Sequence, residues 1–183
     1  LSTEVASGAE KAELLIVIPA YNEAENIERV VNHLTANFPQ YDYVVVNDGS
    51  RDETAAICQR NGYNLLNLPV NLGLAGAFQA GLKYADKYGY QYAVQLDGDG
   101  QHGPEYLESM IKKMEEGYDI VIGSRFVGEK KPFTMRMLGS NLIEMAIRFT
   151  TGVNIKDPTS GMRMFSKRMI REFASGLNYG PEP

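Results

Sequence analysis

Leu14-Leu15-Ile16-Val17-Ile18 is an unbroken apolar run that stops at Pro19, and its reading decides the fold. Five consecutive apolar side chains leave neither side of a strand for water, the pattern of a central parallel strand buried on both faces. Tyr43-Val44-Val45-Val46-Asn47, Leu65-Leu66-Asn67-Leu68, Tyr92-Ala93-Val94-Gln95-Leu96 and Ile120-Val121-Ile122 repeat the theme more weakly. Between them lie stretches with apolar residues three and four apart, at about 24–37, 52–61, 75–88 and 104–116, the spacing of helices with one buried face. Pro104 suits the first turn of the last of these. This alternation implies right-handed crossovers and an α/β fold, a mostly parallel sheet with helices on both faces.

The chain has 183 residues, 44% of them hydrophobic, enough for one sizeable core, so 13–183 reads as a single domain. Residues 1–12 are small, polar and without period, which predicts a flexible leader. Gly180-Pro181-Glu182-Pro183 follows a helical pattern with no closing element, and a missing C-terminal segment is expected. The 18 basic and 23 acidic residues are dispersed and sum to a charge of −5, which speaks against nucleic acid as a partner. The one cysteine, Cys58, falls on the buried side of a helical pattern and fits a core position in a reducing, cytoplasmic setting. No run approaches the roughly 18 apolar residues of a membrane span. Residues 133–151 are predicted helical, with 128–132 read as a loop before them; the Met-rich stretch Met135 to Met145 suits a core helix or peripheral contact with a membrane face.

In an open parallel sheet, ligands bind beyond the carboxyl ends of the strands. Polar clusters stand there: Pro19-Ala20-Tyr21-Asn22-Glu23, Asp48-Gly49-Ser50-Arg51-Asp52, Asp97-Gly98-Asp99-Gly100-Gln101 and Gly123-Ser124-Arg125, while Pro69 and Asn71-Leu72-Gly73 follow the third strand. Asp97 and Asp99 offer two hard oxygen donors one residue apart, suited to Mg²⁺ or Mn²⁺, which complete their shells with water and phosphate oxygens; Gln101 adds a third contact. An ordinary Asp/Gly turn is the alternative, and the position after a buried strand favours the metal. Asp48 can accept hydrogen bonds from a base or ribose, Tyr21 can stack on a base, and Glu23 can bind its polar edge. Ser50 and Asp52 read as helix-start residues. Arg125 and Arg136 can neutralise phosphate. His33 reads as a solvated helix position, and His102 as a neighbour of metal or phosphate.

These clusters in this order, closing with Asp157-Pro158-Thr159-Ser160-Gly161, resemble the family 2 glycosyltransferases of GT-A (Rossmann-like) fold. The Gln101-His102-Gly103-Pro104 continuation and Gly123-Ser124-Arg125 are similar to the branch acting on dolichyl and polyprenyl phosphates. The resemblance implies inverting transfer of a hexose from a nucleotide-sugar, GDP-mannose or UDP-glucose in type. Pro19, Tyr21, Glu23, Asp48, Asn71, Gly73 and Asp97 would hold the donor, Asp97, Asp99 and Gln101 the metal, and Arg125, Arg136 and Ser140 the phosphates or acceptor. A lipid-phosphate acceptor is already anionic and needs no strong base; a saccharide hydroxyl requires one, for which Asp157 or Glu182 is the candidate. Gly98 stands where many relatives have Ala.

Other classes fit less well. A nucleotidyltransferase would show a Gly-x-Gly-x-x-Arg loop after the first strand, where Pro19 to Glu23 stands instead. A phosphatase with an aspartyl nucleophile would carry its Asp pair after the first strand rather than the fourth. A non-catalytic nucleotide-binding module differs by binding the donor without turning it over.

Overall fold

The computed structural model describes residues 13–96, 106–123 and 162–176. The leader 1–12, the loop 128–132 and the helix 133–151 expected from the sequence lie outside them. The strands are β1 (Leu14–Ala20), β2 (Asp42–Asn47), β3 (Leu65–Asn67), β4 (Tyr92–Gln95), β5 (Ile120–Ile122) and β6 (Arg163–Ser166). The helices are α1 (Ile27–Asn37), α2 (Thr54–Arg60), α3 (Gly73–Tyr88), α4 (Leu107–Glu115) and α5 (Lys167–Ala174).

β1 is central because every one of its residues is apolar and buried. Its alternate side chains serve two cores. Leu14, Ile16, Ile18 and Ala20 pack with Ile27, Val31 and Leu34 of α1, Ile57 and Cys58 of α2, and Leu107 and Met110 of α4. Leu15 and Val17 point the other way, toward Ala77, Phe78 and Leu82 of α3 and Ile170 of α5. Each fully buried aliphatic side chain contributes roughly 1.5–3 kcal/mol, so this alternation secures helices on both faces. Gly81 shows how closely α3 approaches: a Cβ there would lie 2.3 Å from Cγ1 of Val17.

The strand order is β3-β2-β1-β4-β6-β5, with β1 to β4 parallel. Their carboxyl ends therefore share one edge. Two differences from the sequence expectation stand out. Pro19 does not end β1 but lies within it, paired in register with Val46. Leu96 N–H donates to Val17 O on the β4 side, and Asp48 N–H to Ala20 O on the β2 side. Position 19 thus turns its missing donor toward β4, past the last registered pair, Val17 with Gln95, where a proline costs no ladder bond.

The second difference is β6, which the sequence reading lacks. It lies antiparallel between β4 and β5, so β5 is separated from β4 by a strand that comes about 40 residues later. Met164 enters the first core and Phe165 the second, where its ring meets Phe78 and Phe173 with centroids 5.4 and 5.5 Å away. Ser166 caps α5 by accepting from Met169 N–H, and Asp119 at the start of β5 accepts from the Ser166 hydroxyl and Arg168.

Candidate functional site

Three loops leave the carboxyl edge of β1, β2 and β3, and hydrogen bonds tie them together. The loop after β2 is the hub. Ser50 Oγ accepts from Asn22 N–H at 2.9 Å, Thr54 Oγ1 from Glu23 N–H at 2.9 Å, and Asp52 Oδ2 from Ala24 N–H at 3.0 Å. Three consecutive amides of the loop after β1 are thus received by three short side chains some 30 residues later. Asn22 returns the link, its Oδ1 accepting from Arg51 N–H at 2.9 Å. Asn22 holds φ at +56°, a left-handed conformation that costs about 1 kcal/mol or more in a non-glycine residue and persists because the surroundings determine it.

The loop after β3 is held from the same hub. Asp48 is 3% exposed, and its Oδ1 accepts from Leu72 N–H at 2.7 Å. Gly49, at φ +64°, presses against this segment: a Cβ there would lie 2.7 Å from Asn71 N and from the Val70 carbonyl carbon. Asn71 Oδ1 accepts from Gly73 N–H at 3.0 Å, and Gly73, at φ +75°, turns the chain into α3. Beneath, Asn47 Nδ2 donates to Asn67 Oδ1 at 2.6 Å across the ends of β2 and β3.

Of the residues singled out from the sequence, Tyr21, Glu23, Asp48 and Asn71 fall on these three linked loops, with Gly73 at the start of α3 and Pro19 buried in the strand below. Tyr21 is 44% exposed, so it is no core residue. Glu23 is half-buried and accepts from Asn26 Nδ2 at 3.0 Å. Asp97, Asp99, Gln101, His102, Ser124, Arg125, Arg136, Ser140, Asp157 and Glu182 lie outside the described residues. Cys58 is a buried free thiol whose pKa burial raises, and His33 is an exposed helix residue, both as expected.

Two roles change. Ser50 caps no helix; it receives Asn22. Asp52 does bond the first turn of α2, its Oδ1 accepting from the Thr54 amide at 3.0 Å and hydroxyl at 2.5 Å, but its other oxygen reaches across to Ala24. Slight burial raises the Asp52 pKa, yet the hydrogen bonds from Thr54 and Ala24 outweigh it and hold the carboxyl below its ordinary 3.8. Asn22 and Thr54 join the site only in three dimensions; their signal in the sequence is that short polar residues crowd both loops.

Among the described residues no group of three His, Cys, Asp or Glu side chains is placed to hold a metal ion. The Asp97, Asp99 and Gln101 set begins one residue beyond Leu96, which is still hydrogen-bonded to β1 at the same sheet edge. The residue types themselves, two carboxylates and an amide oxygen, are donors of the kind a hard divalent cation takes.

The fold is that of the GT-A glycosyltransferases. It superposes on glucosyl-3-phosphoglycerate synthase from Mycobacterium tuberculosis, solved with Mn²⁺ and UDP-glucose, with a TM-score of 0.66 and 21% identity over 85% of this chain and 56% of that one. The chain belongs to glycosyl transferase family 2, which it matches over residues 15–174. It is 32% identical to polyprenol monophosphomannose synthase of Mycolicibacterium smegmatis over 86% of this chain and 63% of that protein. It is 31% identical to undecaprenyl-phosphate mannosyltransferase of Micrococcus luteus over 86% of this chain and 68% of that protein. The chain thus spans about two thirds of the length of these relatives.

Proposed function

We propose that this chain carries the donor site of an inverting hexosyltransferase, which moves a hexose from a nucleoside-diphosphate sugar to a polyprenyl or dolichyl phosphate. The observation that carries the reading is the set of three cross-linked loops at the carboxyl edge of β1, β2 and β3, with an exposed tyrosine after β1 and a buried aspartate after β2. The matched family and the lipid-phosphate acceptors in the names of two relatives support the choice of reaction.

In this reading Tyr21 stacks on the base, while Glu23, Asp48 and the Asn71-Gly73 turn bind the nucleoside over Pro19. Asp48 has one oxygen committed to Leu72, which fixes the direction in which the other is presented. Asp97, Asp99 and Gln101 would hold Mg²⁺ or Mn²⁺, which when bound offsets charge on the departing diphosphate. Arg125, Arg136 and Ser140 are assigned to the phosphates of donor and acceptor. An acceptor phosphate oxygen attacks the anomeric carbon from the side opposite the diphosphate. The bond to the diphosphate breaks, its electron pair leaves with the nucleoside diphosphate, and the configuration inverts. Already anionic, that oxygen needs no general base; a saccharide hydroxyl would, and Asp157 is the residue assigned that duty.

Among the described residues no helix is long and apolar enough to cross a membrane. It is the lipid-phosphate acceptor that puts the domain, in this reading, beside a cytoplasmic membrane face. The test is incubation with labelled GDP-mannose or UDP-glucose, Mn²⁺ and a polyprenyl phosphate, followed by partition into organic solvent. Label passing into the organic phase from one donor is the expected result. Label transferred only to an added saccharide would replace the lipid acceptor with a hydroxyl, and donor bound but never consumed would leave a binding module.

A further inference from the structure

Asp52 has two tasks, and only one concerns α2. Beginning that helix requires an acceptor for the Thr54 amide, which Asn or Ser supplies as well as Asp. The Asp52 carboxylate instead accepts at both oxygens: Oδ1 from the Thr54 amide and hydroxyl, and Oδ2 from Ala24 N–H, 28 residues earlier. The Thr54 hydroxyl, fully buried, donates to Asp52 and accepts from Glu23 N–H, so its orientation is set by the carboxylate. Ala24 and Glu23 are therefore both held through Asp52, one directly and one by relay. Asn22, at positive φ in the same turn, shows a backbone that depends on being held.

We propose that Asp52 is a positioning residue for the donor nucleoside: through Ala24 N–H and Thr54 it sets the turn that carries Tyr21 and Glu23 against Asp48. The inference rests on the donor-site reading above. Asp52→Asn separates the two tasks. Its amide oxygen can still receive Thr54, keeping the start of α2, while its NH₂ meets Ala24 N–H, donor against donor.

The experiment is calorimetric titration of the full chain and its variants with UDP and with GDP in the presence of Mn²⁺, each variant's Tm being recorded. Asp52→Asn is expected to raise the Kd of whichever nucleotide the parent binds by roughly tenfold, the worth of about one hydrogen bond. Ser50→Ala, which removes only the acceptor for Asn22 N–H, is expected to raise it in the same direction. Ser166→Ala removes a helix cap at the opposite sheet edge and is expected to lower Tm while leaving Kd at the parent value. Parental Kd in Asp52→Asn and Ser50→Ala, with nucleotide bound by the parent, would overturn the positioning role alone. A parent that binds neither nucleotide would overturn it together with the donor reading.

Discussion

Gly49 combines two demands, φ at +64° and backbone atoms of Val70 and Asn71 at 2.7 Å from where a Cβ would stand. The conformation alone costs an L-residue about 1–2 kcal/mol, and the contact is with backbone that cannot rotate away. Gly49→Ala is therefore expected to lower Tm by roughly 4–8 °C, at about 2–4 °C per kcal/mol in a chain of this size, as calorimetry would show. Asp48 gives the contrasting case. Asp48→Asn keeps an oxygen for Leu72 N–H but turns the other acceptor into a donor, so Tm should hold within about 2 °C while nucleotide affinity falls roughly tenfold or more. Asp48 was legible because it directly follows an apolar strand. The links among Asn22, Ser50, Asp52 and Thr54 were not, since bonds between residues about 30 apart leave no local periodicity to read.

The element that decides the architecture, β1, was visible because burial on both faces demands an unbroken apolar run. Its end was misplaced, because whether a proline stops a strand depends on which neighbour its missing N–H faces. Helices α1 and α2 begin later than their periodicity suggests, at Ile27 and Thr54, because the preceding residues are engaged in cross-loop bonds. β6 escaped notice for a different reason. Four residues carry too little pattern, and insertion between β4 and β5 is a tertiary event. At this scale Gly81 lets α3 come close upon β1. Gly81→Ala gains about 1 kcal/mol in helix propensity but loses roughly 1–3 kcal/mol to overpacking against Val17. Shortening Val17 to Ala removes the γ carbons at 2.3 and 2.9 Å and leaves only its Cβ at 3.2 Å, so in a Val17→Ala background Gly81→Ala should cost less Tm than it does alone, as calorimetry of the two pairs would show.

At the scale of the molecule, two carboxyl groups at opposite sheet edges carry depressed pKa values among the described residues: Asp52 through its bonds to Thr54 and Ala24, and Asp119 through Arg168 and then Ser166. A depressed folded-state pKa contributes stability above the unfolded value, near 3.8, that is lost as pH falls through the folded value. Tm should accordingly show no loss from these two groups between about pH 7 and 5, and should fall below about pH 4, less steeply in Asp52→Asn and Asp119→Asn. Solvent screens Asp119, so salt should blunt its share. The class of fold was legible from alternation, and the polar clusters on the loops after β1, β2 and β3 from their place beyond apolar runs, while the cross-links that turn three loops into one surface appeared only in three dimensions. The central claim, a donor site completed by a metal at Asp97 and Asp99, is tested most directly by titrating the chain with UDP and GDP, with and without Mn²⁺, beside the double variant Asp97→Asn/Asp99→Asn. The claim predicts that one diphosphate binds, that binding requires Mn²⁺, and that the double variant loses it. Absence of binding under every condition, or equal binding by the variant with and without metal, would contradict it.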